Sequence, residues 1–167
     1  NGVHVGNYYL CEQIKIDENR LNIRDSYEDV LSTNIADCGY LLEFDMKEDN
    51  DTKYTTSNGA WVKFKDDAIA GTSLFTAVSK KIQGIEDNLD AGNYTAAYND
   101  LDINSLVDQF LIWELTMNRE YGDPGSVYMF MDGDGKLCAG PVWDFDRGTF
   151  QNQEKATSLG NSTSYRV

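Results

Sequence analysis

The chain has 167 residues, 41% of them hydrophobic and 25% charged, which are the proportions of one ordinary globular domain with a single core rather than of a repeat or disordered protein. Its 28 acidic against 14 basic side chains leave a net charge of −14, a field that repels phosphate backbones and anionic lipid and so excludes general nucleic-acid binding or a polybasic membrane contact. A phosphate-bearing substrate would then need cations from a bound metal or from outside the chain.

The first residues are Asn1-Gly2, the favoured two-residue hairpin turn, with no initiating Met and no visible signal peptide. We read this as a fragment or processed product whose preceding strand belongs to the same fold. Val3, Val5, Tyr8, Leu10, Ile14 and Ile16 predict a strand over 3–16, with the lone His4 an ordinary histidine rather than a ligand. Residues 17–37 are polar apart from a short predicted helix near 26–32. Gly39 to Met46 is a short apolar run suited to a strand buried on both faces. Residues 47–58, dense in Asp, Glu, Asn, Thr and Ser, predict an exposed loop, and Trp61 to Phe64 predict a further strand.

From Thr72 the positions Phe75, Val78, Ile82, Ile85 and Leu89 recur at helical spacing, with Thr72 or Ser73 to cap the start and Gly92 beyond the end. A second helix follows the cap Asp102, with Ile103, Leu106, Val107, Phe110, Leu111 and Leu115 along one face as far as Met117. The polar stretch 118–126 breaks it. Residues 127–131, the Asp132-Gly133-Asp134-Gly135 turn and residues 137–139 form a predicted hairpin. That turn is no calcium loop, because Lys136 occupies the next ligand position and no Glu stands at the twelfth. The tail 151–167 is polar and is expected to fray or to dock elsewhere.

Cys11, Cys38 and Cys138 lack any CxxC spacing, so buried reduced thiols are expected, with one Cys11–Cys38 bridge open if those residues sit on adjacent strands. Asn50, Asn93 and Asn161 begin glycosylation sequons, which matter only in a eukaryotic secretory pathway.

The segment Gly140-Pro141-Val142-Trp143-Asp144-Phe145-Asp146-Arg147-Gly148 is the most informative. Val142 and Trp143 predict a stiff strand, and an extended chain turns carboxylates spaced i, i+2 to one face, where they can share a divalent cation. The ordinary alternative is a turn at Asp146 with Asp144 paired to a base. Helix, polar loop, hairpin and acidic segment in this order bring Glu120 and Asp123 toward Asp144 and Asp146. One acid orienting a hydroxyl while another holds a metal is the logic of phosphoryl transfer, and Glu120 with Asp144 also suits a glycoside hydrolase.

Gly6-x-Tyr8-x-Leu10-x-Glu12-x-Ile14, Gly39-Tyr40-Leu41-Leu42-Glu43, the Asp102-Ile103 helix start with Glu114-Leu115-x-x-Asn118, and above all Gly140-Pro141-Val142-Trp143-Asp144-Phe145-Asp146 resemble the CotH (spore coat protein H) kinase family, over residues 2 to about 150. The resemblance implies an α+β, atypical protein-kinase-like fold, of which residues 1–150 are mostly the C-terminal part, and an enzyme that passes phosphate from ATP to Ser/Thr of exported proteins with Mg²⁺ or Mn²⁺. It makes Asp144 the metal ligand with Asp146 beside it, Glu120 or Asp123 the catalytic acid, and Asn118 and Ser126 the cofactor-binding pair. The catalytic loop departs from the family pattern, since Glu120 replaces Asp, Ser126 replaces a second Asn, and the loop is one residue longer. A longer carboxylate displaced by about an ångström can cost on the order of a hundredfold in rate. A non-catalytic pseudokinase, or a surface carbohydrate- or protein-binding module, is therefore the second reading. The phosphate-gripping lysine is expected upstream of Asn1. The implied partner is a protein substrate or surface partner, and the implied location is the exterior of a bacterial cell.

Overall fold

The computed structural model describes residues 2–6, 11–118 and 125–145. Within them the chain is α+β: five antiparallel strands in one sheet, with helices on one of its faces. The strands are β1 (Gly39–Phe44), β2 (Lys53–Thr55), β3 (Trp61–Phe64), β4 (Val127–Asp132) and β5 (Leu137–Ala139), in the spatial order β2-β3-β1-β4-β5. The helices are α1 (Tyr27–Val30), α2 (Ser73–Asp90), α3 (Tyr94–Asp100) and α4 (Ile103–Thr116).

β1 lies at the centre because it can be buried on both faces, as its apolar run predicts: Gly39 to Glu43 are all buried. The alternation of side chains then separates two chemistries. Leu42, opposite both Phe64 and Met129, faces the helices and the core. Glu43, opposite Lys63 on one neighbour and Tyr128 on the other, faces away from it. One strand thus carries the core on one side and charge on the other.

α2 covers the core face with Leu74, Val78, Ile82 and Ile85, all buried, each contributing about 1.5–3 kcal/mol through the area removed from water. The Thr72 hydroxyl accepts a hydrogen bond from the Phe75 amide at 3.2 Å, so Thr72 is the cap. Past the helix end Gly92 adopts φ +73°, and its amide donates to the Leu89 carbonyl.

Four features differ from the sequence-based expectation. Residues 2–6 and 11–16 form no strand, and 7–10 lie outside the described residues; Val3 and Val5 are 76% and 75% exposed, and Ile16 makes an isolated bridge with Leu21. Alternation marked these side chains, but no strand among the described residues pairs with them. The segment 47–58 is not all loop, because Lys53–Thr55 forms the edge strand β2 on β3, with Tyr54 on the core side opposite Val62. α3 went unforeseen, being a single short helix with Ala97 its one buried residue.

The fourth difference is the orientation of α4. Its cap is as expected, with an Asp102 carboxylate oxygen accepting from the Ser105 amide at 2.8 Å. The apolar side is nevertheless turned outward among the described residues: Val107, Leu111 and Leu115 are 48%, 57% and 77% exposed, and Gln109 is the buried residue. Polar contacts fix this orientation. The Asp102 amide donates to the Leu137 carbonyl, and the Ser105 hydroxyl accepts from the Ala139 amide. These two contacts also show that α4 runs in the same direction as β5.

The Asp132 turn closes the β4–β5 hairpin as predicted, and the Asp132 carboxylate accepts from the Arg24 amide and pairs with its guanidinium, both at 2.8 Å. All three cysteines are free, with Cys38 buried, Cys138 half-buried and Cys11 exposed. No helix among the described residues is long and apolar enough to cross a membrane.

Candidate functional site

The face of the sheet away from α2 is polar because β1 and β3 place Glu43, Asp45, Lys63 and Lys65 on it. Glu43 is 5% exposed and Lys63 0%, so this is a desolvated ionic layer and not a wet surface. The Lys63 ammonium donates to Asp45 and to the Lys47 carbonyl, each at 2.7 Å, and also to Asp49. A lysine has three donors, and all three are used. Burial alone would lower the Lys63 pKa, but its hydrogen bonds to Asp45 and Asp49 outweigh that and hold it above the ordinary lysine value. Lys63 is a clamp on the acidic 45–49 turn.

Lys65 is placed differently. It donates to Glu43 at 2.8 Å and to Asp51 at 2.7 Å, which leaves a third donor, and its side chain is 29% exposed. Here too burial pulls downward while the bonds to Asp51 and Glu43 win, so the ammonium is held above its usual range. Lys65 borders a cleft of about 260 Å³ together with Leu41, Lys15 and Glu28.

On the far side of Glu43 stands Tyr128. Burial first, and the Glu43 carboxylate second, push its hydroxyl up to about 12, with Lys65 pulling the other way. Its ring meets Trp143 edge-on with centroids 6.5 Å apart, and the Gly140 amide donates to its carbonyl at 2.9 Å. Glu43, Tyr128 and Trp143 therefore link Lys65 to the residue next to Asp144. A larger cleft of about 360 Å³ opens between Pro141–Trp143 and the segment holding Glu12, Lys15 and Arg20.

The backbone is forced at this same end of the molecule. Met117, Ser126 and Asp144 have φ of 56°, 57° and 55°, and Leu31 is the only other non-glycine residue with positive φ among the described residues. Each such residue costs on the order of 1 kcal/mol, less for Asp, and such strain collects where a site fixes its side chains. Met117 and Ser126 stand on either side of residues 118–125, of which 119–124 lie outside the described residues, while Asp144 lies in the stretch that leaves β5. The parallel course of α4 and β5 points the C-terminal end of α4, which carries Asn118, in the direction in which the chain leaves β5. Asn118 is 1% exposed, and its amide donates to the Trp113 carbonyl.

A family model described as CotH kinase protein matches residues 1–166. This chain belongs to the CotH kinase protein family. No curated protein and no solved structure matches it.

Within this CotH domain the described site residues are Asn118, Ser126 and Asp144, whereas Glu120, Asp123 and Asp146 lie outside the described residues, as does the tail 151–167. The expected strand ahead of Asp144 does not form. β5 stops at Ala139, Gly140 takes φ +110°, the Gly140–Pro141 peptide is cis, and residues 140–144 are irregular. Asp144 is presented by a left-handed residue rather than by the alternation of an extended chain.

Among the described residues no three His, Cys, Asp or Glu side chains assemble into a metal-binding group. The donors at the loop end are nonetheless all oxygens suited to a hard cation: the exposed Asp144 carboxylate, the Ser126 hydroxyl and the Asn118 amide oxygen. They fit Mg²⁺ or Mn²⁺, with Asp144 as the charged member. Sequence reasoning missed Glu43, Lys65 and Tyr128. Glu43 stood within a motif, but its partner lies 22 residues away on a strand whose two lysines are separated by a single phenylalanine. The pairing register alone distinguishes Lys65 from an exposed strand-edge lysine.

Proposed function

We propose that this CotH domain is a protein kinase-like phosphotransferase, passing the terminal phosphoryl group of a metal–ATP complex to a Ser or Thr hydroxyl of an exported protein, at or outside the bacterial cell surface. The observation that carries this reading is the desolvated Lys65–Glu43 pair, joined through Tyr128 and Trp143 to the strained Asp144.

In this reading Lys65 turns its third donor to the phosphates, and Glu43 holds the ammonium in place. Preorganised cations in a low-dielectric site stabilise developing charge without reorganising, which is the main resource of phosphoryl transfer. Asp144 and Asp146 would hold Mg²⁺ or Mn²⁺, with Asn118 and Ser126 as neutral donors; the metal supplies charge neutralisation on the phosphate oxygens. Glu120 or Asp123 orients the acceptor hydroxyl and accepts its proton. The half-buried Tyr128 stays protonated at neutral pH, so it adds no negative charge beside the phosphates. The atypical fold implied by the family is proposed on the same basis, with the polar face of the sheet, away from α2, turned to the nucleotide.

The test is transfer of label from γ-labelled ATP to a serine-rich peptide with Mg²⁺ or Mn²⁺. Label on the peptide, lost in Asp144→Asn and in Lys65→Met, supports the proposal. Nucleotide binding without transfer makes the domain a pseudokinase.

A binding module is favoured by one separate observation: Tyr94 and Tyr98 stack at 6.4 Å on α3 while 56% and 49% exposed, a platform of the kind sugars use. Retention on immobilised polysaccharide, abolished in Tyr94→Ala/Tyr98→Ala, tests it. The hydrolase alternative rests on Glu120, outside the described residues, and is not carried further.

A further inference from the structure

Lys65 is bound by two carboxylates, and they are not equivalent. Glu43 comes from β1, at the centre of the sheet, and its side chain is 7% exposed. Asp51 comes from the segment between β1 and β2, and its side chain is 31% exposed. Both accept from the same ammonium, at 2.8 Å and 2.7 Å. Two carboxylates against one ammonium leave the cluster with a negative charge in surplus. The rest of the cleft does not correct this, since Lys15 is offset there by Glu28 and Asp66. A lysine suited to gripping a polyphosphate thus stands in surroundings that repel one.

The local chain lets Asp51 leave and holds Glu43. Upstream of Asp51, the Lys63 ammonium fastens Asp45, the Lys47 carbonyl and Asp49. Downstream, the Thr52 amide donates to Asp67 at 2.9 Å and the Thr52 carbonyl accepts from the Phe64 amide at 2.8 Å, where β2 begins to pair with β3. Between these anchors stand Asn50 and Asp51. The Asp51 side chain can therefore swing from Lys65 into water with the segment pinned at both ends, giving up one bond from its own amide to Asp49 at 3.1 Å. Glu43 has no such route. Its backbone is paired on both sides, with β3 and with β4, and removing Lys65 from it would leave a buried carboxylate without a counter-charge.

A carboxylate oxygen and a phosphate oxygen make the same kind of charge-assisted bond to an ammonium, at about 2.7–2.9 Å. We propose that Asp51 holds the place of a phosphate oxygen on Lys65, and that Mg–ATP binds by displacing it, so that residues 50–51 swing outward as the nucleotide enters. The inference rests on the phosphotransferase reading and adds a brake to that same site. Without nucleotide, Asp51 keeps Lys65 satisfied, and a ligand takes the lysine only by offering more negative charge than one carboxylate. In the bound state Glu43 still positions the ammonium, while the donor that Asp51 releases joins the third donor on the phosphates.

The test is calorimetric titration of Mg–ATP into the wild-type chain, Asp51→Asn and Glu48→Gln. Asp51→Asn keeps the side-chain shape and removes its charge, and the affinity should rise about tenfold, the effect of one like charge taken from beside the phosphates. Lys65 retains Glu43 in this variant, so the fold is kept. Glu48→Gln makes the same change in net charge on the same segment, at a side chain that is 73% exposed and pairs with Lys53, and its affinity should stay within about twofold of wild type. Hydrogen exchange is the second readout. The amides of Asn50 and Asp51 should exchange faster in the wild type once Mg–ATP is bound. Unchanged or weaker affinity in Asp51→Asn, an equal rise in Glu48→Gln, or slower exchange at residues 50–51 on binding would each overturn the proposal and leave the phosphotransferase reading in place. Absence of binding in both the wild type and Asp51→Asn would overturn that reading, and the brake with it.

Discussion

Lys65 and Glu43 face each other across the β1–β3 boundary at 2.8 Å, and Glu43 is far more buried than the lysine that neutralises it. A buried carboxylate is held charged only by such a partner. The pair therefore has two tasks in this account, giving the buried Glu43 a counter-charge and setting Lys65 at the edge of the 260 Å³ cleft.

Lys65→Met should weaken Mg–ATP binding by at least about tenfold, since one charge-assisted bond to phosphate is worth roughly 1.5–3 kcal/mol. Calorimetric titration of wild type and variant checks this. Lys65→Arg should restore only part of the affinity, because a planar fork does not reproduce the point charge.

The neighbouring lysine should behave differently. Lys63→Ala leaves Asp45 buried without its counter-charge and should cost about 3–5 kcal/mol in denaturant unfolding. The combined change Lys63→Met with Asp45→Asn should recover a good part of that loss. Full stability of Lys63→Ala would show that the clamp is absent in solution.

Alkaline titration follows from groups whose folded pKa values are raised. Tyr128 moves from its ordinary 10 to about 12, and Lys63 and Lys65 also lie above their ordinary value. A group raised in the folded state contributes stability that is complete below its unfolded pKa and is lost as pH rises through the folded one. Unfolding free energy should thus decline with pH above about 10. In Tyr128→Phe the decline should be shallower, as measured by urea midpoints across that range. At the acid end, the Lys63 hydrogen bond holds Asp49 below its ordinary 3.8, so the stability it contributes persists above that value and fades as pH falls through the lower folded one.

Much of this architecture is legible in the residues themselves. The 3–4 spacing of Val78, Ile82 and Ile85 gives α2, Thr72 and Asp102 give two helix starts, and the Asp132-to-Gly135 turn gives the hairpin. Periodicity fails where burial is decided by a neighbour. The stripe along α4 has the right spacing for a core helix, but a hydrogen bond to the Leu137 carbonyl and one from the Ala139 amide fix that helix by its other side. Alternation over 3–16 specifies a face against which no strand among the described residues pairs. For the site, the motif around Asp144 identified one carboxylate; the Lys65–Glu43–Tyr128 arrangement depends on strand register, which no single segment encodes.

The outward side of α4 gives a further check. Leu115→Lys should shift stability by no more than about 0.5 kcal/mol, because the leucine is 77% exposed. Leu42→Ala, at 0% exposure between two strands, should cost about 2–5 kcal/mol. Equal losses for the two would contradict the orientation of α4.

The most direct measurement is the thermal shift of the wild-type chain and of Lys65→Met and Asp144→Asn with ATP, in the presence and absence of Mg²⁺. A metal-dependent stabilisation by ATP in the wild type that is lost in both variants is the predicted result. No stabilisation in the wild type, or one that survives both substitutions, would contradict a shared nucleotide site built from Lys65 and Asp144.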